Sequence, residues 1–167
     1  TFMHSGMTGL VNIAYNDSNS TVIILDNSIT GMTGHQQNPT TGKNLKGDPA
    51  YAVNLEALCH ALGINRVRVV DPYNMKECEE AIKEELAADE ASVIISRRPC
   101  ALLKYVQHTP ALKVNEDKCV GCTLCSKKCP AKAISGEVKK AHSIDADVCI
   151  RCGQCVNVCR FGAISKK

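Results

Sequence analysis

Two matching cysteine motifs lie in the C-terminal third of the chain. Residues 119–130 read CVGCTLCSKKCP and residues 149–160 read CIRCGQCVNVCR, so both follow the spacing C-x2-C-x2-C-x3-C. The second motif begins 30 positions after the first, and the match extends past the cysteines, since the Ala-Ile at residues 133–134 recurs at residues 163–164. Self-similarity at a fixed period indicates an internal duplication, with two related halves and pseudo-twofold symmetry.

Thiolates at this spacing are typical ligands of [4Fe–4S] clusters. Three cysteines separated by two residues wrap one loop around three corners of a cubic cluster, while the fourth, on a following short helix, points toward the neighbouring cluster. The spacing therefore predicts crossed ligation of two clusters. The predicted ligands are Cys119, Cys122, Cys125 and Cys159 for the first cluster, and Cys149, Cys152, Cys155 and Cys129 for the second.

Zinc and disulfide bonds are the other uses of so many cysteines. Structural zinc usually takes two C-x2-C pairs separated by a long gap, and a third cysteine two residues later in both motifs does not suit that arrangement. Disulfide frameworks belong to secreted proteins, whereas an odd total of eleven cysteines, three of them isolated in apolar segments, favours a reducing interior. Iron–sulfur ligation is the leading interpretation, and zinc stays the alternative.

The cysteine-rich half resembles the bacterial-type ferredoxins, which are small α+β domains with two [4Fe–4S] clusters. The resemblance rests on the two motifs, on Gly121 and Gly153 in their tight loops, and on Pro130 after the fourth cysteine, while Arg160 replaces the usual second proline. About 55 residues with few large apolar side chains bury too little surface to fold unaided, so we expect the clusters to supply the core. Such a half carries electrons but offers no substrate pocket.

Charge is distributed unevenly along the chain. Residues 112–167 hold eleven Lys or Arg against five Asp or Glu, while residues 1–111 hold nine against twelve. A basic segment is typical of nucleic-acid binding, but two clusters held by eight thiolates carry about −4 together and offset most of the excess, so we expect no nucleic-acid partner. With no charged-then-apolar leader and no apolar run near the ~20 residues of a membrane span, we expect a cytoplasmic protein without membrane association.

Helical and strand patterns alternate over the first 100 residues. Asp48 followed by Pro49 predicts the start of one helix and Gly63 its end. Asn74 with Glu77 three residues later predicts the cap of the next helix. Together with apolar periodicity, these signals predict helices over residues 5–16, 48–62 and 74–88 and strands over residues 22–25, 66–70 and 92–96.

This order of elements predicts an α/β domain with a parallel sheet. The strand at residues 22–25 is apolar throughout, as expected when helices cover both faces. The acidic run on the third helix indicates a solvated face. That run comprises Glu79, Glu80, Glu84 and Glu85.

A long loop follows the first strand. It covers residues 27–47 and holds four glycines, whereas connections in α/β units usually have ~2–6 residues. The loop leaves the C-terminal end of a strand, which is where parallel sheets bind their ligands. The chain also starts just before a helix that ought to follow a strand of its own, so we expect an incomplete domain.

The N-terminal stretch TFMHSGMTGLVNIAYNDSNSTVIILDNSITGMTGHQQNP is similar to the thiamine-diphosphate domain of the 2-oxoacid:ferredoxin oxidoreductases. The similarity extends over all 167 residues, because the large, alpha subunit of the indolepyruvate enzymes in that family also ends in a two-cluster ferredoxin domain. It implies part of a thiamine-diphosphate-binding α/β domain at residues 1–100, a linker at residues 101–111 and a ferredoxin domain at residues 112–167.

The same resemblance assigns the long loop to the cofactor. In the family, a Gly-Asp pair lies just before the position of Thr1, and an Asn or Thr about 28 residues later is the second side-chain ligand of Mg2+, the position of Asn27. An amide oxygen and a backbone carbonyl at Ile29 suit octahedral Mg2+ that also binds diphosphate. The implied cofactor-binding residues are Asn27, Ile29, Gly31, Thr33, Gly34 and His35, with Asn27 and Ile29 binding Mg2+.

The implied activity belongs to an intact protein. The resemblance implies oxidative decarboxylation of aryl pyruvates, such as indolepyruvate, to aryl-acetyl-CoA, with electrons passing through both clusters to a soluble ferredoxin. A beta subunit and coenzyme A are the further implied partners. Because the family's aspartate and its activating glutamate would precede Thr1, we assign no catalytic residue and expect this chain alone to be inactive. The alternatives are the same chemistry on pyruvate or branched 2-oxoacids, and a non-catalytic electron-transfer subunit.

Overall fold

The computed structural model describes residues 1–100, 102–103 and 112–165. Within it the chain divides into two compact units, Thr1–Leu103 and Lys104–Lys167. The linker predicted at residues 101–111 lies outside the described residues except for Leu102 and Leu103. Over the described residues, no helix has both the length and the apolar character that crossing a membrane requires.

The first unit is built on a parallel sheet of three strands. They are β1 (Thr21–Asp26), β2 (Arg66–Val70) and β3 (Ser92–Arg97), in the order β1-β3-β2. Both neighbours run parallel to β3, with Ile24 and Val69 each opposite Ile95. Because β3 is central, its first four residues are buried, as a strand covered on both faces requires. The α/β parallel fold predicted from the sequence is confirmed.

Helices pack on both faces of this sheet. A π-helical turn, Phe2–Gly6, leads into α1 (Met7–Tyr15), and α2 (Leu55–Ala61) and α3 (Met75–Leu86) follow. One face buries a core shared by α1, α2 and the strands, and the other buries Val70 and Ile94 against Ala81 of α3. The first core comprises Leu10, Ile24, Leu55, Cys59, Ile64, Val93 and Ile95.

The first strand is covered on one face only, which corrects the expectation for residues 22–25. Ile24 is buried, whereas Ile23 and Leu25 are 50% and 77% exposed. Ile23 lies opposite Ile94, on the face that α3 covers. Since α3 packs over β2 and β3, its cover does not extend to β1 at the edge of the sheet.

The second helix starts later than the sequence predicts. Its cap is Asn54, whose side chain accepts a hydrogen bond from the Ala57 amide, rather than Asp48. Asp48 instead closes a turn with Asn44, whose side-chain oxygen accepts from the Asp48 amide at 3.0 Å. Local side-chain bonds of this kind compete with helix formation. The predicted end is right, because the chain leaves α2 through Gly63 at a φ of 95°.

The third helix has the predicted cap but not the predicted solvated face. The Asn74 side chain accepts from the Glu77 amide at 3.4 Å and donates to the Glu77 carboxylate at 2.8 Å. Glu85, however, is buried and accepts two hydrogen bonds from Arg66, at 2.8 and 3.2 Å. A buried carboxylate needs such a partner, and the partner lies on β2, so the helix pattern alone did not reveal it.

The second unit repeats one set of elements twice. Short helices α4 (Leu124–Lys128) and α5 (Gln154–Val158) pack together, and two antiparallel pairs join β4 to β7 and β5 to β6. The α-helix and both strands of the first half recur 30 positions later, which confirms the duplication. The strands are β4 (Lys113–Val114), β5 (Ile134–Ser135), β6 (Ser143–Ile144) and β7 (Ile164–Ser165).

Candidate cofactor sites

Two cavities in the second unit each collect four cysteines. Three cysteines of one motif and the last cysteine of the other motif line each cavity. The structure thus brings together both crossed sets, while ligation of iron by them stays a prediction. The first cavity holds Cys119, Cys122, Cys125 and Cys159, and the second holds Cys149, Cys152, Cys155 and Cys129.

The remaining walls of both cavities are mainly apolar. Leu124, Phe161 and Ile164 line the first cavity, and Ile134 and Ile144 are among those that line the second. Within the described residues, no three Cys, His, Asp or Glu side chains are close enough to hold a single metal ion. Four thiols around an apolar space are the donor set of a cubic cluster with one thiolate on each iron, so these residues fit a [4Fe–4S] group.

The motif loops need a left-handed backbone at two positions each. The first uses Gly121 and Thr123, with φ of 64° and 62°, and the second uses Arg151 and Gly153, with φ of 61° and 78°. Glycine occupies the first of the two positions in the first motif and the second of them in the second motif, and a larger residue occupies the other position. Only at Gly121 is space also lacking, since a Cβ there would lie 2.4 Å from the Lys140 nitrogen.

The fourth cysteine of each motif accepts a backbone hydrogen bond. The Ala133 amide donates to Cys129 Sγ at 3.3 Å, and the Ala163 amide donates to Cys159 Sγ at 3.3 Å. Hydrogen bonds to ligand sulfurs raise the reduction potential of an iron–sulfur cluster by stabilising the more negative reduced state. The Ala-Ile pairs that extend the sequence repeat thus begin with residues that contact the sulfurs.

Burial keeps the third cysteine of each motif protonated while no metal is bound. It raises the pKa of the Cys155 thiol to about 11 and also raises the pKa of the Cys125 thiol. A metal ion deprotonates the thiol that coordinates it. Cluster assembly at these cavities therefore releases protons, and acid conditions oppose it.

His142 lines the first cavity and was not predicted as a site residue. It is 3% exposed, its Nδ1 donates to the Lys140 carbonyl at 3.2 Å, and its Nε2 is buried with no hydrogen-bond partner among the described residues. Leu112, 30 positions earlier, lines the second cavity. A comparison of positions 112 and 142 under the 30-residue repeat could have identified His142 from the sequence.

In the first unit, Asn27 lies at the C-terminal end of β1 with its side chain exposed. Its Oδ1 accepts from the Ile29 amide at 3.3 Å, and its backbone carbonyl accepts from the Cys100 amide at 2.9 Å. Gly31 lies alongside, since a Cβ there would be 3.6 Å from Asn27 Nδ2. The structure therefore brings together three of the six predicted residues, and an exposed amide oxygen beside a glycine fits a magnesium–diphosphate group.

The other three predicted residues, Thr33, Gly34 and His35, lie at the exposed tip of a small closed loop. Thr30 and Gln36 exchange backbone hydrogen bonds of 2.9 and 3.2 Å, which close the loop at its base. His35 has a φ of 60° and its side chain is exposed. A contact from this tip to diphosphate stays a prediction.

An open pocket of about 420 Å3 lies at the same end of the sheet and was not predicted. Arg97, at the end of β3, donates to Asp26 at 2.9 Å and to both Glu56 oxygens at 2.7 and 3.0 Å. The hydrogen bonds from Arg97 lower the pKa of Glu56. The register that places Asp26 opposite Arg97 depends on strand order, which the sequence did not give.

A parallel α/β unit with a long loop at its strand ends, followed by two four-cysteine cavities, defines an iron–sulfur protein with a ligand-binding α/β domain. Residues 1–96 match the family described as thiamine pyrophosphate enzyme, C-terminal TPP binding domain, and the chain belongs to that family. Residues 111–166 match the 4Fe-4S dicluster domain, which confirms iron–sulfur clusters over zinc.

The relatives narrow the class further. The chain is 42% identical to the indolepyruvate oxidoreductase subunit IorA of Pyrococcus horikoshii, over 99% of this chain and 26% of that protein. It is 34% identical to the subunit of the same name from Methanothermobacter marburgensis, over 98% of this chain and 26% of that protein. The chain thus spans about a quarter of the length of these curated relatives.

A solved structure shares the fold. It is the 2-oxoglutarate:ferredoxin oxidoreductase from Magnetococcus marinus with 2-oxoglutarate, coenzyme A and succinyl-CoA bound, with a TM-score of 0.55 and 21% identity. The match covers 60% of this chain and 37% of that one. This structure confirms the fold, and the resemblance seen in the sequence is confirmed by the family matches and the relatives.

Proposed function

We propose that the intact protein oxidatively decarboxylates a 2-oxoacid, with an aryl pyruvate such as indolepyruvate as its substrate. The observation that carries this proposal is that one chain joins a thiamine-pyrophosphate-binding domain to a dicluster domain whose cysteines surround two cavities. Thiamine diphosphate, when bound, cleaves the bond to the carboxylate and makes two electrons available. Coenzyme A takes the acyl group, and two one-electron carriers take the electrons.

The first unit contributes the binding of the diphosphate end of the cofactor. Asn27 Oδ1 and the Ile29 carbonyl would bind Mg2+, and the lack of a side chain at Gly31, beside Asn27, would let a phosphate oxygen approach. Thr33, Gly34 and His35 close over the diphosphate from the loop tip. We assign this role to a domain at residues 1–100 and the electron-carrying role to residues 112–167.

The second unit contributes the electron path. The crossed cysteine sets would hold one [4Fe–4S] cluster each, between mainly apolar walls. Because the fourth cysteine of each motif reaches into the other cavity, the two clusters lie close together, as transfer between them requires. A soluble ferredoxin accepts the electrons, and a beta subunit completes the enzyme.

The choice of substrate rests on the relatives. Proteins that are 34–42% identical to nearly the whole chain carry the name indolepyruvate oxidoreductase subunit IorA, which favours aryl pyruvates over pyruvate or branched 2-oxoacids. The deciding assay compares indolepyruvate, pyruvate and 2-oxoisovalerate with the full-length protein and its partner subunit. We expect the highest kcat/KM for indolepyruvate. A higher value for pyruvate or 2-oxoisovalerate would assign that acid as the substrate instead.

The magnesium site has its own test. Replacing Asn27→Ala in the full-length protein removes one oxygen ligand, so the Mg2+ concentration for half-maximal thiamine diphosphate binding rises at least ~10-fold, while iron content stays constant. Asn27→Asp keeps an oxygen ligand and serves as the matched control. An unchanged Mg2+ requirement in Asn27→Ala would show that Asn27 is not a magnesium ligand.

The rival function has a separate test. Two clusters without any thiamine diphosphate binding in the unaltered full-length protein would favour a non-catalytic electron-transfer subunit.

A further inference from the structure

The two cysteine cavities differ in their access to solvent. Cys122 of the first motif is exposed, whereas Cys152, which occupies the same position in the second motif, is half-buried. A ligand that is exposed brings its cluster within reach of another protein. The first cavity is therefore the better exit for electrons.

Exposed apolar side chains surround Cys122. Val120, Leu124 and Phe161 all line the first cavity and are 49%, 38% and 49% exposed. The residues 30 positions away, Ile150, Gln154 and Ala131, are all half-buried. An apolar centre in contact with the redox group is typical of the core of a protein interface.

Lysines form the edge of this apolar patch. Lys127 and Lys128 follow Leu124 at three and four positions on α4 and so share its side of the helix, and both are exposed. Lys118 precedes Cys119 and is also exposed. The matching positions of the second half hold Asn157, Val158 and Val148.

The first half of the repeat carries more positive charge than the second. Residues 113–142 hold seven Lys or Arg against three Asp or Glu, and residues 143–167 hold four against two, with two of those four at positions 166 and 167. Charge of one sign around a redox centre steers an oppositely charged partner into a productive encounter. This surface is therefore complementary to an acidic protein.

We propose that a small acidic electron-carrier protein docks on the surface formed by Cys122, Val120, Leu124, Phe161 and the lysines at 118, 127 and 128, and takes electrons from the first cluster. Each transfer moves one electron from the reduced first cluster to the oxidised carrier, and no bond or proton changes. The second cluster then receives electrons first and delivers them to the exit. This inference extends the proposed function and rests on it for the physiological source of the electrons.

The test uses full-length protein with both clusters, reduced by dithionite, separated from excess dithionite by gel filtration, and mixed in a stopped-flow instrument with an oxidised acidic [2Fe–2S] ferredoxin, whose visible spectrum differs from that of the [4Fe–4S] clusters. Lys118→Glu with Lys127→Glu is the test variant. Lys113→Glu with Lys132→Glu is the matched control, since these two exposed lysines of the same unit lie outside the lysine edge and change the charge equally. We expect the second-order rate constant to fall at least ~10-fold in the test variant at low salt, with less than a twofold change in the control.

Two further readings sharpen the outcome. Added salt screens the charges, so the rates of the test variant and the unaltered protein converge. Methyl viologen, a small dication, is reduced at least as fast by the test variant, which shows that its clusters are intact. Equal losses in the two variants, or no loss in the test variant, overturn the proposed surface. Dithionite replaces the 2-oxoacid, so a failure of the proposed enzymatic activity leaves this result unaffected.

Discussion

His142 lines the first cysteine cavity at the position where Leu112 lines the second. The two residues are 30 positions apart, and both are almost fully buried, at 3% and 6% exposure. The duplicated halves thus give their two cavities nearly the same cysteines and backbone but different polarity. A cluster held in the first cavity would lie beside an imidazole, and one held in the second would lie beside an aliphatic side chain.

Replacing His142→Leu makes the first cavity resemble the second. A polar ring beside a cluster stabilises the more negative reduced state, so its loss lowers the reduction potential of the first cluster. An EPR-monitored redox titration of the full-length protein should show one of two potentials shifted downward and the other unchanged. The second cluster is the internal control, and a shift of both potentials, or of neither, would contradict a local role for His142.

Crossed ligation is tested by comparing single-cysteine variants two at a time. Cys122→Ala and Cys159→Ala belong to different motifs but line one cavity, so we expect both to lose the same cluster and to retain about four irons per chain. Their EPR spectra in the reduced state should be alike, because the surviving cluster is the same.

The matched pair for comparison is Cys152→Ala and Cys129→Ala, which line the second cavity. These variants should share a second, different spectrum. If Cys159→Ala resembled Cys152→Ala instead of Cys122→Ala, each motif would hold its own four ligands, and the crossed assignment would be wrong.

The second unit was predictable from sequence because its ligands are local and repeated. The cysteine spacing predicted the two cluster-binding loops, and the 30-residue repeat predicted that both halves contain the same elements. His142 was missed because one half holds a leucine at that position, so a search for recurring chemistry passes over it. The cavity identifies it through burial and through an Nε2 atom that has no hydrogen-bond partner in the part of the chain that the structure describes.

The errors in the first unit have a different cause. Asp48 followed by Pro49 is a sound start signal, but Asn44 engages Asp48 in a turn, and Asn54 caps the helix instead. Glu85 reads as solvated on its own helix and is buried only because Arg66 lies on the neighbouring strand. Both outcomes depend on contacts between segments, which periodicity along one segment does not contain.

Alanine substitutions at Gly121 and Gly153 distinguish backbone strain from a steric clash. Both have a left-handed φ, so Gly153→Ala should lower the free energy of unfolding by about 1–2 kcal/mol through backbone strain alone. Gly121→Ala adds a steric clash, because its Cβ would lie 2.4 Å from the backbone nitrogen of Lys140 and 2.6 Å from that of Lys139. Anaerobic thermal unfolding, followed by loss of visible absorbance, should show the larger fall for Gly121→Ala. Equal falls would mean that the chain at residues 139–140 moves aside without cost.

Removal of the clusters should unfold the second unit and leave the first intact. Two of the five buried residues in the core of the second unit, Cys125 and Cys155, are predicted cluster ligands, so the metal-free core loses its centre as well as its cross-links. The first unit buries its core around β3 and its one fully buried cysteine, Cys59, is not a predicted ligand. Hydrogen exchange before and after oxidative chelation measures each unit separately. We expect the amides of Ala133 and Ala163 to lose protection while those of β3 keep it, and sustained protection at both alanines would show that the apolar residues hold this fold without iron.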